Sequence, residues 1–313
     1  MTVDTQLPVC RVKDLQLQLP EEKWLIQSIW GQAAVGIIGG APKCCKSWLG
    51  LDMAVSVASG TPCLGRFPVQ LAGRSLVFMA EDALPAVRQR IEAICAFRQI
   101  NMEHLELYAI TASALRLDLE TDQKRLCATL ETLKPRLLIL DPLVRLHRLD
   151  ENSAADISRL LGFIRELQRT FNTAIVLVHH ASKKHRAQPG QALRGSSDLH
   201  AFGDSNAYLA RKNNRIVLTL EHRTAKPPDP FEMELISQND GSTTHLEIVA
   251  GNEKNRAMPL SDRAFRLLQH ANKPLTRTTI RDQLRVNNER LGEALTQLAQ
   301  QGCIVRTSAG WIA

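Results

Sequence analysis

One stretch holds residue types whose spacing is suited to phosphate chemistry: Gly39-Gly40-Ala41-Pro42-Lys43-Cys44-Cys45-Lys46-Ser47. Val35-Gly36-Ile37-Ile38 precedes it and reads as a short buried strand. Trp48 to Ala58 follows, with Leu49, Leu51, Met53, Ala54, Val55 and Val57, and reads as a mostly buried helix stopped by Gly60. Strand, glycine-containing loop, Lys-Ser and helix together form the layout of a phosphate-binding P-loop, G-x-x-x-x-G-K-[ST]. Backbone N–H groups and the positive end of the helix would face the β- and γ-phosphates of ATP. Lys46 would add a point charge, and the Ser47 hydroxyl would coordinate Mg²⁺.

Gly40, Lys46 and Ser47 match the pattern, and Cys45 stands where its second glycine is usual. Glycine suits that position because backbone packs against phosphate with no Cβ in the way. The favoured reading is that Cys45 is small enough for the loop to adjust and bind ATP. The alternative is nucleotide binding that is impaired, or made redox-sensitive by the Cys44-Cys45 pair.

Further acidic and imidazole groups stand at the ends of apolar runs. Ser75 to Met79 reads as a strand followed by Ala80-Glu81-Asp82. Glu81 is suited to polarise an attacking water, and Asp82 to capping the helix Leu84 to Phe97 or supporting Glu81. Arg136 to Leu140 is an apolar strand delivering Asp141, the Walker B pattern, to the water shell of Mg²⁺ opposite the loop. Between these strands, His104 to Ile110 reads as a strand and Thr121 to Leu133 as an amphipathic helix. Asp150 to Ser153 is a candidate cap for the helix Ala154 to Thr170. Ala174 to Val178 is a strand ending in His179-His180; adjacent residues face opposite ways, and His180 is the candidate γ-phosphate sensor.

Ala181 to Arg194 is a polar, basic loop in which Lys183, Lys184, Arg186 and Arg194 are suited to nucleic-acid phosphates. Ala207 to Ala210, Arg215 to Glu221, Phe231 to Ile236 and Thr244 to Val249 alternate as a meander of strands. The net charge of +7 is concentrated: Ala181 to Lys226 holds nine Lys/Arg against three Asp/Glu, and Ser261 to Ala313 eight against four. Clustered positive charge fits a polyanion, although a solvated surface would also carry it.

The 313 residues allow one large domain and one small one. No apolar run reaches membrane-spanning length, and Met1 to Pro20 lacks a signal-peptide layout. The seven cysteines have no C-x-x-C spacing, so neither a disulfide framework nor a zinc site is indicated, and free thiols fit a reducing cytoplasm. The expected division is an N-terminal arm at 1–22, an ATPase domain at 23–250, a linker at 251–259 and a small domain at 260–313. Trp24-Leu25-Ile26 and Ile29-Trp30 supply apolar anchors before the first strand. In the small domain three helices and a hairpin read as a winged helix, with Asn287, Asn288, Arg290 and Arg306 as candidate duplex DNA contacts, or as a protein-docking module.

The order of these motifs resembles the RecA-type ATPases, and most closely the plasmid RepA-like hexameric helicases. The stretches carrying the likeness are Gly40 to Leu49 (including Trp48), Ala80-Glu81-Asp82, Leu140-Asp141-Pro142, His179 to Lys183 and Leu193 to Ser197. The resemblance, which covers roughly Trp24 to Val249, implies an α/β fold, a RecA-like P-loop core with a β-rich C-terminal meander; the small winged-helix domain read above follows it and lies outside the resemblance. The resemblance also implies a homo-oligomer, usually a hexamer, with ATP and Mg²⁺ at subunit interfaces and single-stranded DNA in the central channel. In such rings an arginine from the neighbouring subunit reaches the γ-phosphate; Arg223 is the first candidate here and Arg211 the second. Two functions follow: a DNA helicase or translocase replicating a plasmid or mobile element, or an ATP-dependent DNA-binding switch with weak hydrolysis.

Overall fold

The computed structural model describes residues 9–15, 23–150, 153–180, 197–212, 215–237, 243–249, 260–271, 273–284, 286 and 288–313. The chain divides into two compact units, Met1–Val249 and Ala250–Ala313.

The first unit opens with a hairpin, β1 (Trp24–Ile26) and β2 (Trp30–Gly31). The apolar residues expected there only as anchors thus form strands: Leu25, Ile26, Ile29 and Trp30 are buried, and the Trp30 indole donates to Ala34 O at 3.1 Å. Then come β3 (Val35–Gly40), α1 (Lys46–Ser59), β4 (Ser75–Met79), α2 (Leu84–Arg98), β5 (Leu107–Ala109), α3 (Glu120–Leu133) and β6 (Leu137–Asp141). They are followed by α4 (Ala154–Phe171), β7 (Ala174–His180), α5 (Ser197–Phe202), β8 (Ser205–Lys212), β9 (Arg215–His222), β10 (Phe231–Ile236) and β11 (His245–Ile248). Among the described residues nine strands make one sheet in the order β11-β10-β9-β8-β3-β7-β6-β4-β5. From β8 to β5 the strands are parallel; from β8 to β11 they are antiparallel.

The central strands are almost continuously apolar up to their carboxyl ends because both faces are covered. On one face Ile38, Val77, Met79, Leu137, Ile139, Val176 and Val178 pack with Leu49 and Met53 of α1 and Val87 and Ile91 of α2. On the other, Val35, Ile37, Leu76, Phe78, Leu138, Leu140, Ile175 and Leu177 pack with Leu126 and Leu130 of α3 and Ile157, Leu160 and Ile164 of α4. The period of two in the strands therefore fixes which side chains face α1. No helix among the described residues is long and apolar enough to cross a membrane.

β8 joins β3 in an unusual way. Before the ladder begins at Ile38 and Ala207, side chains accept from backbone: Asp204 from Val35 N at 3.2 Å, Ser205 from Gly31 N at 3.1 Å and Asn206 from Ile37 N at 3.0 Å. Gly36 permits this approach, since a Cβ there would lie 1.7 Å from Ser205 O.

The second unit comprises α6 (Leu260–Gln269), α7 (Arg277–Leu284), α8 (Asn288–Gln300) and a hairpin of β12 (Val305–Thr307) and β13 (Gly310–Ile312). Ala264, Leu268, Ile280, Leu291, Leu295, Leu298 and Ile304 form its own core. Gly302 follows α8 with φ 70°, and Leu275 bridges to Trp311. Arg290 and Arg306 are exposed, and Arg306 lies over the Trp311 ring at 5.9 Å.

Candidate active site

The carboxyl ends of β3, β7, β6 and β4 adjoin one another, and the strand register gathers the chemistry there. Gly40 on β3 is the register partner of His180 on β7, and Met79 on β4 is the partner of Asp141 on β6. Both histidines fall inside β7 rather than beyond its end. Alternation puts Asp141 and His180 on the α1 face, in line with Ile139 and Val178, whereas His179 faces the α3–α4 side.

Gly40 to Ser47 wraps from β3 into α1. A Cβ on Gly40 would meet Leu209 O at 2.4 Å and Cys44 Sγ at 2.7 Å, so β8 dictates glycine here. Lys43 and Cys45 are both left-handed, at φ 62° and 65°. Cys45 thus adopts the conformation for which glycine is favoured, and it does so as the residue preceding α1, with no side-chain cap on the helix. Cys44 is buried and its thiol donates to Ala41 O at 2.8 Å. Burial pushes both thiols above their ordinary pKa. That opposes thiolate formation and so opposes the redox-sensitive reading.

Lys46 is buried, and its ammonium donates to Gly40 O at 3.1 Å and Ala41 O at 2.9 Å. Burial lowers its pKa, partly offset by nearby Asp141 and Glu81. Asp141 is buried too; desolvation pushes its pKa up to about 6, against a hydrogen bond from Ser47 and the charge of Lys46. Its Oδ2 has no protein hydrogen-bond partner.

A buried carboxylate with one oxygen unsatisfied, beside a serine hydroxyl, is the donor set that Mg²⁺ takes when phosphates and water supply the remaining ligands. Among the described residues no cluster of three His, Cys, Asp or Glu offers a richer cation site. The residues present therefore fit a nucleotide-borne Mg²⁺.

Glu81 lies just past β4, half exposed, with Arg145 Nε donating to its Oε1 at 2.8 Å. Asp82 does not cap α2. Ala83 holds the cap position, and Asp82, one residue too early, accepts two hydrogen bonds from Arg90 at 2.7 and 3.0 Å. Arg90 also lies over the Trp48 ring at 5.7 Å. At α4 the Ser153 hydroxyl accepts from Asp156 N at 3.5 Å, as a cap does.

The two candidate arginines separate. Because β8 runs parallel to β3, with Gly40 beside Leu209, Arg211 comes to its own loop, where its guanidinium meets the Cys45 sulfur. Arg223 follows β9 at the opposite end, where it bonds Ala201 O at 2.9 Å and pairs with Asp204 at 3.3 Å. Lys183, Lys184, Arg186, Arg194 and Asn287 lie outside the described residues.

A family described as an AAA domain matches residues 4–186, more than half of the chain. The chain belongs to this AAA domain family, AAA_25. Solved structures share the fold of this AAA domain. The ATPase domain of G40P is 12% identical, with a TM-score of 0.52, over 68% of this chain and 84% of that one. A DnaB-like replicative helicase, solved with attention to its interactions with primase, is also 12% identical at TM-score 0.52, over 68% of this chain and 57% of that one. The core thus has the fold of a RecA-type P-loop ATPase domain.

Sequence reasoning missed Arg90, Arg145, Arg165 and Asp204. Asp204 binds Arg165, Arg223 and the Val35 amide. Its only signal is a run of small polar residues, Asp204-Ser205-Asn206, opening a strand.

Proposed function

We propose that this protein is an ATP-hydrolysing ring protein acting on DNA: a RepA-like helicase or translocase, supported by its motif order and serving replication of a plasmid or other mobile element in the cytoplasm. The observation that carries the reading is the convergence of Lys46, Ser47, Asp141 and His180 at adjoining strand ends, with Glu81 close enough to act on Lys46 and Asp141 electrostatically.

In this reading Gly40 to Trp48 cradles the triphosphate, and Lys46 turns its charge from the loop carbonyls to the β- and γ-phosphates. Ser47 and Asp141 hold Mg²⁺, which when bound neutralises charge on the phosphate oxygens. Glu81 orients a water in line with the γ-phosphorus and takes its proton as the bond to ADP breaks. His180 donates to the γ-phosphate and senses its loss. Arg223, remote from its own loop, reaches the site of the next subunit in a homo-oligomer, a hexamer by resemblance. Lys183, Lys184, Arg186 and Arg194 line the path of single-stranded DNA. The second unit is a winged helix, whose Asn288, Arg290 and Arg306 are suited to duplex DNA.

Steady-state ATP hydrolysis with and without single-stranded DNA, on the wild type and Lys46→Ala, tests this. DNA-stimulated turnover that the variant loses is the expected result. ATP binding with negligible hydrolysis in both conditions would defeat the motor. The second reading, a nucleotide-gated DNA-binding or assembly switch, is favoured by one feature: Cys45 carries a side chain in a left-handed conformation where phosphate passes.

A further inference from the structure

The two carboxylates after β4 are divided between two arginines in unlike settings. Asp82 and Arg90 are about three-quarters covered and joined by two hydrogen bonds. Glu81 and Arg145 share one hydrogen bond, and their side chains are 44% and 62% exposed.

Arg145 is mounted rigidly. It ends the turn Leu143–Arg145, which follows Asp141 after a single proline. Leu143 and Leu146 on either side are fully buried, and Leu146 O accepts from Leu117 N at 2.7 Å. Arg145 N itself is tied to Pro142 O at 3.1 Å. Of the turn itself, Val144 and the Arg145 side chain are exposed while Leu143 is buried. The backbone is therefore fixed relative to Asp141, while the side chain can exchange one anionic partner for another.

We infer that Arg145 is a positioning residue that holds Glu81 back from water, and that a nucleic-acid phosphate draws it away. The inference rests on Glu81 being the base in the function proposed above. While Arg145 Nε donates to Oε1, that oxygen points at the guanidinium instead of a water. An exposed ion pair is weak and screened by salt. A single strand presents closely spaced phosphates, and phosphate engages arginine through two hydrogen bonds at once. Glu81 offers one carboxylate, joined to Arg145 by a single hydrogen bond, against a row of such phosphates. Binding of the strand thereby frees the base, and occupancy by DNA becomes a switch on hydrolysis at the level of one side chain.

The test measures kcat and KM for MgATP on the full chain, with and without an oligo(dT) single strand, in wild type, Arg145→Gln, Arg145→Lys and Glu81→Gln. Arg145→Gln should raise DNA-free kcat by about threefold or more toward the stimulated value, with KM within about twofold. Arg145→Lys, which keeps the charge, should stay near the wild type and confirms that the site tolerates replacement. A DNA-free kcat that is unchanged or lower in Arg145→Gln overturns the inference, as does a wild type that DNA does not stimulate. Wild-type turnover in Glu81→Gln would instead remove the base on which it rests.

Discussion

Arg211 and Arg223 stand at opposite ends of one antiparallel strand pair, β8 and β9, so only the first is near the P-loop of its own chain. If Arg223 serves the adjacent subunit, Arg223→Ala should lower turnover about 10³-fold while sparing ATP binding. Mixing it with Lys46→Ala, itself inactive, should then restore activity, because some interfaces would pair an intact loop with an intact arginine. Absence of recovery in mixed assemblies of confirmed composition would exclude the role. Arg211→Ala should instead weaken ATP binding, with no recovery attributable to a neighbour.

Asp141 gives the fold a pH dependence. Its folded pKa of about 6 lies above the ordinary carboxylate value, so folding favours the protonated form. The stability from this group is complete below about pH 4 and is lost as pH rises through the folded value, a loss on the order of 3 kcal/mol. Asp141→Asn escapes it. In urea unfolding without nucleotide, the variant's advantage should therefore grow between pH 4.5 and 7.5, while its response to Mg²⁺ with ATP disappears. An advantage independent of pH would mean that burial is not what raises this group.

Cys45 predicts a graded series. Cys45→Gly relieves the left-handed strain but gives up packing, so stability should stay within about 1 kcal/mol of the wild type. Cys45→Val puts a β-branched residue into the same φ and should cost more than about 1 kcal/mol. Thermal unfolding ranks the three. Because burial raises both thiols, alkylation of Cys44 and Cys45 at pH 7 should be slow in the folded protein, which peptide mapping can check.

Asp52 and Arg98 form an ion pair between α1 and α2 at 2.5 Å, with both side chains buried. Asp52 also accepts from Leu64 N at 2.8 Å, and Arg98 donates to Ser56 at 2.7 Å. Asp52→Ala would leave a guanidinium buried without its counter-ion, at a cost of about 3–5 kcal/mol. Denaturant unfolding should show that loss; a shift below about 1 kcal/mol would mean that Arg98 reaches solvent in the variant.

The motifs were legible because their chemistry is local in sequence. Apolar strands buried on both faces announce themselves, and Lys46, Ser47, Asp141 and His180 stand at or just beyond the ends of such strands. The arginine partners were not legible. Arg90 lies two helical turns beyond Asp82, and Arg145 reaches Glu81 across 64 positions of sequence. Only the crossovers of the sheet reveal such pairings. The Asp204-Ser205-Asn206 junction was hidden for the same reason, and the cap assigned to Asp82 failed by one residue because Ala83 holds the cap position.

β3 lies between β7 and β8, the strands at Ala174–His180 and Ser205–Lys212, and both are specified long after it. On a ribosome, where domains fold as the chain emerges, β4 and β6 can meet while β3 still has neither neighbour. The phosphate loop, first of the motifs to be translated, is therefore among the last to acquire its final shape. A nascent chain halted before β7 would contain the whole P-loop sequence and yet lack the strands that shape it, so a ligand of that loop could not assist the early stages of folding.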